Sequence, residues 1–285
     1  MSTRAMLAAV ALSLALGFSE IAGAAFDFTP IDVAGSNDTG ANANSTNAIA
    51  GDFFQGHLHG FVLKNGQFTT IDVPGAALTV VTGINAFGRL SGTYHAATDP
   101  INIDHAFFWN NGAVTTLDPP GAIASQAGHI NGHDDVVGNY SDSNSQGHGF
   151  IWSKGAFTTV DFPGATGTVV IGINDLGEVV GQYSVGGGPH GFLLSRGTYT
   201  PLDYPGAYWT TPAGINNGGT IVGFYAIAGE DRFHGFLLKN GAYTTVDVPD
   251  SINTLILSIN AKGEIVGDYD DSEDNSHGFV GVPTH

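Results

Sequence analysis

Cysteine is absent from the 285 residues. No disulfide can brace the fold, and no thiolate is available as nucleophile or metal ligand. Basic side chains are scarce as well: 8 Lys and Arg stand against 26 Asp and Glu, a net charge of −18. That balance disfavours nucleic acid and anionic membrane surfaces as partners, because phosphate contacts need cationic side chains. Beyond residue 24 there is no apolar run of membrane length and no sustained helical periodicity, which excludes a helical membrane span and a bundle. A Gly-x-Ser-x-Gly elbow, a His-Glu-x-x-His pair, a phosphate-binding loop and a dinucleotide fingerprint are all missing. What is present is 42 glycines with 42% apolar and only 12% charged residues, a mixture suited to many short strands and tight turns.

Residues 1–24 read as a secretory signal peptide, with Arg4 in the basic region, Ala5 to Leu16 as the apolar stretch and Ala22-Gly23-Ala24 at the cleavage site. Export to a periplasm or the medium is therefore expected, with residues 25–285 as a single domain and a monomer. Cleavage removes one base, Arg4, and one acid, Glu20, so the mature charge stays at −18.

The rest of the chain is one unit repeated. Residues His148 to Tyr183, HGFIWSKGAFTTVDFPGATGTVVIGINDLGEVVGQY, show it completely. Three markers recur six times at spacings of 40 to 46 residues: a His-Gly/Ala-Phe, an Asp closing a Thr-rich strand, and an Asn that usually follows Gly-Ile. This period matches one four-stranded propeller blade. Alternation and turn residues predict strands at His148–Trp152, Phe157–Asp161, Thr168–Asn174 and Glu178–Tyr183. Two-residue turns such as Asn65-Gly66, Asn111-Gly112, Lys154-Gly155 and Asn240-Gly241 are type I′ hairpin signals.

The chain begins and ends in mid-unit. Phe26 to Asp32 stands where a second strand belongs, and His277 to Val282 stands as a first strand without its partner. The two half-hairpins complete each other, so the expected fold is an all-β, six-bladed propeller closed by pairing the N- and C-terminal strands in one blade. By analogy with other propellers closed in this way, the Gly-Ile-Asn strand is expected innermost.

Each repeat His lies 13 residues before its Asp: His59 and Asp72, His105 and Asp118, His148 and Asp161, His190 and Asp203, His234 and Asp247. Counting through the two-residue turn places them opposite one another, and His277 meets Asp32 across the closure. An imidazole beside a carboxylate is the arrangement of a proton relay or of half a triad. An active site, however, is normally single, and a pair present in every unit reads as a structural staple, so no catalytic residue is assigned.

Seven residues after each Asp comes a hydroxyl, Thr79, Ser125, Thr168, Thr210 and Thr254, which in this phase is expected to ring the channel mouth and offer hydrogen bonds to a ligand. Tyr208 and Trp209 interrupt one crossover as aromatics able to stack on a sugar or anchor a protein. Two acid-rich loops are candidates for Ca²⁺: Asp142 with Asn144, and Asp270, Asp271 and Asp274. The first lacks the bidentate glutamate of an EF-hand loop.

Alternate turns of an up-and-down blade fall on opposite faces. Lys64, Arg89, Lys154, Arg196, Lys239 and Lys262 lie at the tight hairpins, whereas Asp38, Asp99, Asp104, Asp142, Glu230, Asp231, Asp250, Asp270, Asp271, Glu273 and Asp274 lie on the long-loop face. That face is expected to carry the function.

Gly172-Ile173-Asn174, Val179-Val180-Gly181-Gln182-Tyr183 and His148-Gly149-Phe150 together resemble the bacterial HAF-type extracellular repeats. Only His105-Ala106-Phe107 matches the eponymous tripeptide strictly. The resemblance implies a secreted propeller-like repeat protein and supplies no catalytic residues. The leading expectation is a non-catalytic secreted propeller that binds a glycan, or an envelope or matrix protein, through its acidic long-loop face. A metal-assisted polysaccharide lyase or lactone hydrolase at the channel mouth is the competing one, and a structural surface or adhesion component the third.

Overall fold

The protein is described by a computed structural model covering residues 26–101, 103–186 and 188–284; the signal-peptide reading lies outside these residues. Among them the regular structure is strand throughout. In chain order the strands are β1 (Phe26–Ile31); β2 (Thr39–Asn44), β3 (Ile49–Phe54), β4 (Leu58–Lys64), β5 (Gln67–Ile71); β6 (Ala76–Ile84), β7 (Leu90–Ala96), β8 (His105–Asn110), β9 (Ala113–Thr116); β10 (Ala124–Ile130), β11 (Val136–Ser141), β12 (Gly147–Ser153), β13 (Ala156–Val160); β14 (Gly167–Ile173), β15 (Val179–Val185), β16 (Gly188–Ser195), β17 (Thr198–Leu202); β18 (Ala207–Ile215), β19 (Ile221–Ile227), β20 (His234–Lys239), β21 (Ala242–Thr245); and β22 (Asn253–Ile259), β23 (Ile265–Asp270), β24 (Ser276–Pro283).

Four sheets have four strands each, β2 to β5, β6 to β9, β18 to β21, and β22 to β24 completed by β1. The fifth has eight, in which β10 to β13 and β14 to β17 are joined where β12 runs parallel to β14 at the single pair Gly147 and Gly167. This corrects the expectation of six separate four-stranded sheets. With no side chain on either glycine, nothing holds the two backbones apart at that corner.

The Gly-Ile-Asn strands β2, β6, β10, β14, β18 and β22 each neighbour the next in a closed cycle, so they line the axis and the Thr-rich strands lie outermost. The chain ends meet as expected: β1 pairs antiparallel with β24, from Phe26 opposite Pro283 to Ile31 opposite Gly278. Asn65, Asn111, Lys154, Arg196 and Asn240 have φ near +50°, each followed by a glycine with φ of +74° to +90°, which is the type I′ geometry.

The core repeats with the motif. Phe61, Phe107, Phe150, Phe192, Phe236 and Phe279 are all at most 1% exposed, and each fills the middle of its sheet. The residue before it is small for a physical reason: a Cβ on Gly149 would sit 2.5 Å from Val170 Cγ2 and 2.7 Å from the Val160 carbonyl. Only alanine substitutes for it, at Ala106, which is itself fully buried.

The marker asparagines join one sheet to the next. Asn131 Oδ1 accepts the amides of His133 and Asp135, closing its own turn, while Nδ2 donates to Asp135 Oδ2 and to the Asn174 carbonyl. The same lateral bond runs from Asn85 to Asn131 (3.0 Å), Asn174 to Asn216 (3.2 Å), Asn216 to Asn260 (3.2 Å) and Asn260 to Ser45 (3.1 Å). At Asn44 the pattern breaks. There the turn runs through Ser45 to Ala48, Nδ2 donates to the Glu264 carbonyl, and the buried Oδ1 has no partner.

Asn131→Ala removes four hydrogen bonds at a buried seam and is expected to cost about 2–4 kcal/mol, whereas Asn44→Ala, with one side-chain bond to lose, is expected to cost about 1 kcal/mol. Urea denaturation of the two variants checks this, and equal losses would show that the belt is not cooperative around the axis.

Candidate ligand chamber on the long-loop face

All six His–Asp pairs form. The Nδ1 to carboxylate distances are 3.0 Å for His59–Asp72, 2.8 Å for His105–Asp118, 3.0 Å for His148–Asp161, 3.1 Å for His190–Asp203, 2.7 Å for His234–Asp247 and 2.9 Å for His277–Asp32. Each imidazole also packs against the aromatic opposite it on the neighbouring strand, Phe53, Tyr94, Tyr140, Tyr183, Tyr225 or Tyr269, at centroid distances of 5.1–5.5 Å.

In three copies the second ring nitrogen is engaged too. His105 Nε2 meets Asp99 at 2.9 Å, His234 Nε2 meets Glu230 at 3.0 Å and His277 Nε2 meets Asp271 at 3.3 Å. An imidazole held at both nitrogens has no lone pair left for a base; burial lowers the pKa of His105 but the hydrogen bonds it donates to Asp118 and Asp99 raise it overall, and the bond His277 donates to Asp32 raises its pKa against burial. Two of these loop acids share a spacing, Asp99 and Asp271 each standing six residues before the repeat His, as does Asp142, which lies 3.9 Å from His148 Nε2, whereas Glu230 stands four before.

The repeat hydroxyls are buried inside the crossovers. Oγ1 of Thr79, Thr168, Thr210 and Thr254 accepts the amide of Val73, Phe162, Tyr204 and Val248 at 2.9–3.0 Å. Ser125 differs because Pro119 occupies the donor position and has no N–H; its hydroxyl instead accepts from Ala106 N and donates to Asp118 Oδ1. The structure thus spends these hydroxyls on closing loops. Tyr208 is 52% exposed. Trp209 is half-buried, donates from Nε1 to Thr211 Oγ1 and packs edge-on against Phe233, which packs in turn on Phe224.

The two acid-rich loops satisfy themselves. Asp142 Oδ1 accepts the amides of Asn144 and Gln146, with Asn144 Nδ2 on Oδ2; Asp271 Oδ1 accepts those of Glu273 and Asn275. Asp270 Oδ2 accepts from Asn253 Nδ2, and Asp274 is exposed in a left-handed turn at φ +62°. Among the described residues no three His, Asp or Glu side chains are grouped as a metal ion would require. Arg232, the long-loop cation, pairs with Asp247 at 3.1 Å.

The feature that the repeat motifs did not announce is on the axis. A chamber of about 500 Å³ reaches from Leu58, Leu78 and Asp104 at the long-loop end down to His129, Ile171 and Leu257. Behind it, at the tight-hairpin end, the asparagine belt and Ile84, Ile130, Ile173, Ile215 and Ile259 surround a smaller space of about 150 Å³. The chamber wall is uneven. The β14 and β22 side is apolar, with Ile171 and Leu257, and the opposite side carries Asn42, Asp52, Gln126, His129 and Asn139.

One motif position, which supplies Asp52, Thr93 and Asn139, contributes to the asymmetry beside the axial-strand residues themselves. The residue after the repeat glycine of the second strand is Asp52, Thr93, Asn139, Gln182, Phe224 or Asp268, and it stands beside the axial strand, opposite Gly40, Val80, Gln126, Val169, Thr211 or Leu255. Several reach across to the next sheet: Asp268 Oδ1 accepts Ala41 N at 2.9 Å, Thr93 Oγ1 accepts Ala127 N, and Gln182 Oε1 accepts from Thr211. The signal that could have found the chamber was variability at this one position within an otherwise uniform motif.

Burial pushes the Asp52 carboxyl up to about 6 against the hydrogen bond from Asn42, and pushes Asp268 up to about 7, with the neighbouring charges of Asp52 and Asp270 adding to the rise. Loss of water around the ring pushes His129 down to about 4, and it stays neutral. A carboxyl with a raised pKa holds its proton longer in the native than in the unfolded state, so stability falls as pH rises from about 4 to about 7. Asp268→Asn is expected to flatten that fall by on the order of 2–4 kcal/mol. Melting temperatures across this range check it, and an unchanged profile would show that Asp268 titrates as an ordinary carboxylate.

No family model matches the chain, and neither does any curated sequence. Solved structures are similar in fold. TolB from Acinetobacter baumannii superposes with a TM-score of 0.58 at 8% identity over 83% of this chain and 64% of its own. AofleA from Arthrobotrys oligospora gives 0.56 at 14% over 90% and 86%. The β-propeller domain of the Trilobed protease from Pyrococcus furiosus, described as an open velcro topology, gives 0.52 at 8% over 88% and 94%. At such identities the likeness establishes one thing, that this chain has an all-β propeller fold.

Proposed function

We propose that this is a secreted, non-catalytic binding propeller of the HAF-repeat type, which takes its ligand from the acidic long-loop face into the axial chamber. We read the ring as six blades, counting β10 to β13 and β14 to β17 as two blades that touch through one parallel pair. The observation that carries the binding reading is the position beside the axial strands where Asp52, Thr93, Asn139, Gln182, Phe224 and Asp268 replace one another while the surrounding motif repeats, the first three of them lining the chamber. Architecture demands the same residue in every blade, and a single asymmetric ligand demands different ones. The repeat histidines support the non-catalytic half of the reading through their repetition, the same Nδ1–carboxylate pair standing in every unit, and in three copies a second acid also takes Nε2. A glycan or an extended segment of an envelope protein fits the polar side of such a chamber.

A second reading rests on Asp52 and Asp268, because neighbouring carboxyls with raised pKa values are also the equipment of acid–base chemistry. Lyase or lactonase turnover that stops in Asp268→Asn while the fold survives would favour it.

Leu257→Trp puts bulk into the chamber wall, and Lys154→Ala alters the opposite face. In a thermal-shift screen of sugars, organic amines and organic acids, followed by calorimetry, ligands of the wild type are expected to bind Lys154→Ala unchanged and to lose about tenfold or more, about 1.4 kcal/mol, with Leu257→Trp. Ligands indifferent to Leu257→Trp and lost with Lys154→Ala would place the site on the other face.

A further inference from the structure

The chamber wall is short of free donors. Asn42 Nδ2 uses both hydrogens, on Asp52 Oδ1 at 2.7 Å and on the Val81 carbonyl at 3.0 Å. Gln126 Nε2 donates one of its two hydrogens to Asp104 Oδ2, Thr82 Oγ1 donates to the carbonyls of strand β10, and Thr93 Oγ1 accepts from Ala127 N. Of the three chamber amides, Asn139 alone keeps its NH2 group without a partner among the described residues.

Acceptors, by contrast, are left over. Asp52 receives one hydrogen bond where an ionised carboxylate can take about four. His129 is neutral, so one of its ring nitrogens carries a lone pair. No lysine or arginine lines the chamber. A desolvated carboxylate without a cation is unfavourable, and the favourable way to relieve it is a ligand that brings the charge.

On the reading that the chamber is the binding site, we propose that it receives a small organic ammonium ion, with its N–H donors on Asp52 and the Asn42 and Gln126 amide oxygens, and its hydrocarbon body on Ile171 and Leu257. A bare metal ion would leave the apolar side empty, and an organic anion would face only acceptors. A sugar hydroxyl would find donors at Asn139, Gln126 and Thr93 but would leave Asp52 without a counter-charge. The volume of about 500 Å³ admits a ligand of amino-acid to monosaccharide size with accompanying water.

The titratable groups facing the site are Asp52, Asp104 and His129, with Asp268 and Asp270 behind Asp52 and His95 paired to Asp104 at 3.4 Å. Cation binding favours the ionised carboxylates, so it releases protons and strengthens as pH rises through the range in which Asp52 and Asp268 titrate.

Isothermal titration of the mature protein with cyclohexylmethylammonium, cyclohexylmethanol and cyclohexanecarboxylate tests the proposal. The ammonium probe is expected to bind about tenfold or more tighter than the alcohol, the carboxylate not at all, with affinity higher at about pH 8 than at about pH 5 and with proton release seen in buffers of different ionisation enthalpy. Asp52→Asn and Leu257→Trp are each expected to weaken the ammonium probe about tenfold. Equal binding of alcohol and ammonium, or ammonium binding untouched by either variant, would overturn the proposal. The wild-type comparison of the three probes decides the matter even if Asp52→Asn does not fold. If the ammonium probe fails while a neutral ligand binds and is lost in Leu257→Trp, the cation assignment falls and the binding reading stands; if nothing binds in the chamber, both fall.

Discussion

Strands that converge on one axis end in backbone groups that water cannot reach from all sides, and the marker asparagine meets that constraint. Its Oδ1 caps the turn that follows the axial strand, and its Nδ2 crosses to the carbonyl of the next one. One side chain thereby fixes a local turn and a lateral seam together, and repetition makes the tight-hairpin end of the channel rigid. The other end is free of this demand, and the chamber and the long loops are found there. The chain that cannot form a disulfide is held instead by hydrogen bonds repeated around a ring and by β1 added to β24.

The His–Asp pair is a second device of the same kind, acting at the outer rim. It ties the start of the third strand to the end of the fourth, stacks on an aromatic of the second, and in three copies takes up an acid from the adjoining loop. Much of the acidic charge of the long-loop face is therefore bound inward rather than displayed. Asp142 and Asp271 are spent on their own turns, which depresses their pKa values, through the backbone amide of Gln146 at Asp142 and through the Asn275 side chain and neighbouring backbone amides at Asp271.

Set against these satisfied groups, Asp52 and Asp268 are exceptions. Both sit where burial penalises their charge, and a chain selected for stability alone would place apolar residues there, as it does at Phe224. Local departures of this kind from an otherwise consistent sequence are characteristic of functional sites. Asp52 lines the chamber and Asp268 stands in the adjoining sheet without lining it, so the wall is polar at Asp52 and apolar at Ile171 and Leu257 although the scaffold repeats around it.

Much of the fold was legible in the chain because it rests on short-range rules. Type I′ turns at Asn-Gly, the 13-residue separation of His from Asp, the alternation of the strands and the complementary half-hairpins at the ends all follow from residues close in sequence or from counting. The site was less legible. The hydroxyls read as channel-mouth groups turned out to bond crossover amides six residues earlier, because a strand reading specifies alternation and not depth. Lateral contacts between sheets belong to residues about one repeat apart, such as Asn131 with Asn174, or at opposite ends of the chain, such as Asp268 with Ala41. By itself the sequence determined the strands, their turns, the pairs across each hairpin and the closure. Which carboxyls lose their water, which donors are already used and what faces the axis depended on the packing of one sheet against the next, and only the tertiary structure decided that, since no local pattern encodes the distance between blades.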